Sequence, residues 1–183
     1  MRNKIMFLGV ATLVVFPLIG FLLAQISGPI SPIEFLALET ISPIAIGYGI
    51  EFGIIYAFLG YLLMNARIFD SVSTRIDTLI ASMQLKIWQG LFLSFCAGVG
   101  EELLFRAGIQ PFLGVLITSV LFIALHGYLN PFNWRFSLYG IIALPFILIL
   151  SYGYVYFGLY FAIAAHFAYD AVLFTFIIRQ NDQ

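Results

Sequence analysis

Three short runs in the second half of this 183-residue chain place ionisable side chains where the sequence around them is apolar. Glu101, Glu102 and Arg106 lie in E-E-L-L-F-R. His126 follows within the next apolar run, and His166 and Asp170 stand four apart near the C-terminus. On a helix, Glu102 and Arg106 share a face and can pair. Glu101 points about 100° away and is free for another task. A buried ion pair accounts for Glu102 and Arg106 but not for a second carboxylate beside them. His166 and Asp170 also share a face, with Ala162, Ala164 and Ala165 permitting close helix approach. Either histidine alone would read as a hydrogen-bonded core residue. The two are the chain's only histidines, and both have acidic groups near, so together they favour chemistry. Charges inside membrane spans are costly and point to function.

The elements that carry these residues are membrane helices. The chain is 62% hydrophobic and 9% charged, with a mean hydropathy of +1.05. Soluble domains carry roughly 25% charged residues, and a soluble fold of this length could not hide so much apolar surface. Spans are expected at roughly 5–25, 43–64, 87–110, 114–130, 137–153 and 158–178. This makes an all-α, polytopic bundle of about six transmembrane helices, with the first helix uncleaved. Residues 26–41 hold the helix breakers Gly28, Pro29 and Pro32. Between the second and third spans, Phe69, Val72, Ile76, Leu79, Ile80 and Met83 recur at helical spacing. They suit an amphipathic connector on the membrane surface, a lid being the sharper reading. Arg2, Lys4, Arg67, Arg75, Lys86, Arg135 and Arg179 fall on one side of this scheme, so the positive-inside rule puts both termini in the cytoplasm. A net charge of −1 gives no sign of nucleic-acid binding. Cys96 is the sole cysteine and reads as a small packing residue.

Pro111 and Gly114 mark a tight turn between the third and fourth spans. The rise back to Glu101 is roughly 16 Å and forward to His126 roughly 21 Å, so the hairpin should bring the two to nearly one depth, toward the cytoplasmic half. A Glu and a His within reach of each other form a unit able to activate water. Glu51, in the second span, fits no such unit. It could sit near the outer end of its span, pair with a polar group or face a cavity.

Glu101-Glu102-x-x-x-Arg106, Phe122-x-x-x-His126 and His166-x-x-x-Asp170, in this order, resemble the motifs of the CPBP (CAAX protease and bacteriocin-processing, Abi-type) family of glutamic intramembrane proteases. The resemblance covers roughly Gly90 to Phe176. It implies a catalytic core over 86–178, preceded by N-terminal spans and a connector over 1–85, all within one membrane domain. It also implies an intramembrane endopeptidase that cleaves a membrane-anchored or lipidated peptide near its C-terminus. Glu101 would activate water with His126 holding it, Glu102 and Arg106 would orient their helix, and His166 with position 170 would stabilise the oxyanion. Better-described members have Asn where this chain has Asp170. An ionised Asp only accepts hydrogen bonds, so Asp170 must be protonated, orient His166 or bind a cation. No cofactor is implied, the lipid bilayer and the substrate are the expected partners, and the cell membrane is the expected location.

The rings of Tyr152, Tyr154, Tyr156, Phe157, Tyr160 and Phe161 could line a groove for a substrate helix or lipid, interfacial anchoring being their commoner use. Three alternatives stand beside the glutamic reading. Two His and a carboxylate form an acceptable zinc set, although H-E-x-x-H is absent. A proton-coupled transporter could relay through Glu51, Glu101, His126 and Asp170, but shows no paired repeats. A silent immunity protein could keep the same scaffold.

Overall fold

The computed structural model describes residues 2–64, 82–129 and 134–181. Long apolar runs form helices because hydrocarbon offers the backbone no partners outside the segment itself. The helices are α1 (Arg2–Ala24), the short α2 (Pro32–Phe35), α3 (Pro43–Met64), α4 (Ile87–Glu102), α5 (Gln110–Leu125), α6 (Trp134–Phe157) and α7 (Leu159–Asn181). A π-helical stretch, Leu103–Ile109, joins α4 to α5. Four stretches are long and apolar enough to cross a membrane: Arg2–Ser27, Pro43–Leu63, Ile87–Leu125 and Leu159–Gln180; Ile142–Phe157 is a shorter apolar helix.

The 39-residue stretch Ile87–Leu125 is two arms rather than one rod. Gly114, at φ 72° and ψ 172°, reverses the chain inside α5. Only glycine takes up that conformation readily. The arm after the turn, 115–125, rises only about 17 Å. The expected fourth span of 114–130 is therefore shorter, and His126 caps its end instead of lying within it.

Close glycine contacts fix the register. A side chain at Gly9 would strike Leu93, at Gly100 the Thr12 carbonyl, and at Gly108 the backbone of Gly20, so α1 runs parallel to α4 and the π segment. Gly49 and Gly53 of α3 sit against the Phe161 and Ala165 carbonyls of α7, also in parallel. Gly90 meets Phe174 and Ile178 while Gly98 meets Phe167, so α4 and α7 are antiparallel. The six long segments thus alternate in direction, an all-α polytopic bundle. At one end Leu85, Leu93 and Ile178 pack with Ile5, Met6 and Met83, which gathers Arg2, Lys4, Lys86 and Arg179 near that end. Most of the amphipathic connector, with Arg67 and Arg75, lies outside the described residues. At the opposite end Phe35, Leu103 and Leu159 close the bundle under the α1–α3 loop.

Candidate active site

The hairpin at Gly114 and the facing helix α7 bring all six charged or titratable residues of the three motifs into one cluster, three of them against Phe122. Phe122 stacks on His126 with ring centroids 4.2 Å apart and meets His166 edge-on at 6.0 Å. The Arg106 guanidinium lies 5.6 Å from the same ring, within the range of a cation–π contact.

The two adjacent glutamates have different surroundings. Glu102 is fully buried with both oxygens engaged: Oε2 accepts from Arg106 Nε at 2.8 Å, and Oε1 accepts from His166 Nδ1 at 2.7 Å. The ion pair read from the four-residue spacing is present. Its carboxylate also holds a histidine 64 residues away, a contact no local pattern announces. Glu101 faces elsewhere. Its Oε2 is 3.4 Å from His126 Nε2 and, though buried, has no hydrogen-bond partner among the described residues.

Donor counting fixes the tautomer of His126. Its Nδ1 lies 2.8 Å from the Phe122 carbonyl, which can only accept, so Nδ1 carries hydrogen. In the neutral ring Nε2 is then an acceptor aimed at a second acceptor, Glu101 Oε2. His166 is arranged likewise, with Nδ1 donating to Glu102 and Nε2 facing Asp170 Oδ2 at 3.5 Å. A proton must lie on His166 Nε2 or on Asp170 for that contact to attract. Asp170 keeps 24% of its side chain exposed, so it is not fully buried.

Depth follows from helix rise. Glu101 is about 21 Å along the helix from Ile87 and about 18 Å from Leu113. The site is thus near mid-depth rather than displaced toward the basic end. It reaches the surroundings through His126, whose side chain is 33% exposed where α5 stops.

Polar residues with no assigned role complete the surroundings. Arg106 Nη1 donates to Gln110 Oε1 at 3.3 Å, and Gln110 Nε2 donates to the Ser151 carbonyl at 3.2 Å. Ser119 and Ser151 share a hydrogen bond at 2.9 Å. Gln110 stands four residues after Arg106, so the spacing that pairs Glu102 with Arg106 also points to it. Phe122, read only as a motif letter, supplies both a carbonyl for His126 and the ring between the histidines.

Other candidates fall outside this cluster. Glu51 is exposed on α3, about 12 Å along the helix from Pro43. Cys96 is buried against α1 near Gly9. The aromatic set divides: Tyr152, Tyr156 and Phe157 are exposed, Phe161 is core, and Tyr160 donates to the Leu36 carbonyl. A cavity of about 530 Å³ lies at the end opposite the basic one, between Glu34, Phe35, Pro111 and Tyr154, away from the two histidines. Among the described residues no three His, Cys, Asp or Glu side chains are grouped to hold a metal ion.

Residues 83–172 match the family model described as type II CAAX prenyl endopeptidase Rce1-like. The matched stretch belongs to this family. Membership places it among the CAAX-type intramembrane endopeptidases, which are proteases, and all three motifs fall within the matched stretch. No curated protein and no solved structure matches the chain.

Proposed function

We propose that the chain cleaves a membrane-anchored or lipidated peptide near its C-terminus, using a water activated by Glu101 without a metal. The observation that carries this reading is the contrast between neighbours: both Glu102 oxygens are engaged, while Glu101 Oε2 is buried, unbonded and turned to His126. A water between Glu101 Oε2 and His126 Nε2 would donate one hydrogen to each acceptor. As its oxygen attacks the scissile carbonyl carbon, its proton passes to Glu101, and the C–N bond breaks as that proton goes to the leaving amine. His166, held by Glu102, would present Nε2–H to the oxyanion, with Asp170 holding that proton in place. Such donors act strongly where water is scarce.

In this reading the basic end, with both termini, faces the cytoplasm of a cell membrane, and the substrate enters beside the exposed edge of His126. The involvement of both nitrogens of each histidine with other groups supports the metal-free form. The test is to incubate purified protein with membrane-anchored or S-prenylated peptides and locate the cut by mass spectrometry. Wild type should cleave, Glu101→Ala should not, and chelators should have little effect. Loss of activity to a chelator with recovery on adding zinc would establish the metal alternative instead.

A further inference from the structure

The chain of contacts behind Glu102 takes no part in the bond-breaking step, yet it is buried throughout: Arg106 is 0% and Gln110 5% exposed. Arg106 approaches Glu102 through Nε alone, and its Nη2 is buried without a partner. That is unusual, because arginine and carboxylate favour a two-pronged pairing in which both oxygens are used. Here the second oxygen, Oε1, is taken by His166. The far nitrogen, Nη1, on the side of the guanidinium away from the Nε–Nη2 fork, is held by Gln110, whose amide is itself anchored on the Ser151 carbonyl of α6.

We propose that Gln110 is a positioning residue that fixes the rotation of the Arg106 guanidinium through Nη1 and so holds the Glu102 carboxylate in line with His166. Released from Gln110, the guanidinium can turn about its Cδ–Nε bond and draw the Glu102 carboxylate with it, which takes Oε1 off the line of the His166 Nδ1–H. The π-helical geometry of 103–109 supports this assignment, since the Gln110 N–H bonds to the Phe105 carbonyl five residues back. Such segments are rare and often stand at functional sites. The role rests on the catalytic reading above, because it acts on the reaction only through Glu102 and His166.

The experiment measures kcat and KM for cleavage of an S-farnesyl peptide by the full chain in proteoliposomes, for Gln110→Met, Arg106→Lys and the double variant. Gln110→Met should lower kcat about tenfold or more, with KM within about twofold, as expected for a group felt in the transition state. Lysine has no fork, so in the Arg106→Lys background Gln110→Met should add almost nothing, the non-additivity of residues acting through one another. Gln110→Ala gives the same test should the Met protein not fold. Wild-type kcat in the Gln110 variant, or a loss that adds in full to that of Arg106→Lys, overturns the assignment. Glu101→Ala is run alongside. If that protein still cleaves, the catalytic reading has failed, whereas an inactive Glu101→Ala with a normal Gln110 variant sinks only the positioning role.

Discussion

Adjacent glutamates in different surroundings should fail in different ways. In Glu102→Gln the amide keeps one oxygen for two donors, Arg106 Nε–H and His166 Nδ1–H, which now lie 2.8 and 2.7 Å from the carboxylate oxygens. One donor must face an NH2, and the fully buried guanidinium loses its counter-charge. Breaking a buried pair from one side costs about 3–5 kcal/mol. At about 2–4 °C per kcal/mol for a chain of this size, the melting temperature should fall by about 6–20 °C. Glu101→Gln disturbs no fixed hydrogen bond, so its melting temperature should stay within about 2 °C of wild type, the range of substitutions that break no contact. Thermal melting of the detergent-solubilised proteins, followed by circular dichroism or a thiol-independent dye, reads both. Equal shifts in the two variants would refute the division of labour between Glu101 and Glu102.

Three further outcomes follow from the same geometry. Asp170→Asn keeps an acceptor for His166 Nε2 and should retain cleavage, while Asp170→Ala should cost about 2–4 kcal/mol in the transition state; an Asn variant as inactive as Ala would mean that the charge itself is needed. A reporter fused after Gln183 should show a cytoplasmic C-terminus, and an external one would overturn the orientation. In the loop outside the spans, the Ser31 N–H and then its hydroxyl hold the Glu34 carboxyl below the usual carboxylate range. A lowered pKa stabilises the folded loop at neutral pH, and that contribution is lost as pH falls through the lowered value; Glu34→Gln should therefore lose less stability than wild type on acidification.

Much of this arrangement could be read from the sequence because membrane helices obey simple length and spacing rules. Apolar runs marked the spans, four-residue spacing paired Glu102 with Arg106, and helix rise on either side of the Pro111–Gly114 turn placed Glu101 level with His126. What escaped was set by tertiary packing. The reversal falls at Gly114 itself, which lengthens one arm and shortens the other, so the site is mid-depth with His126 at a helix end. The Glu102–His166 bond spans 64 residues, and its existence depends on how α7 rotates against α4 at Gly98. The shared role of Phe122 depends on three helices meeting at one ring. The partial exposure of Asp170 likewise could not be read from its position one turn beyond His166.

The central claim is that Glu101 activates the attacking water, and the turnover number of Glu101→Gln tests it most directly. The protein should fold, bind an S-farnesyl peptide with KM near wild type, and lose about 10²–10⁴-fold in kcat, the usual contribution of a general base. A Glu101→Gln protein that turns over within about threefold of wild type, well short of that contribution, would contradict it.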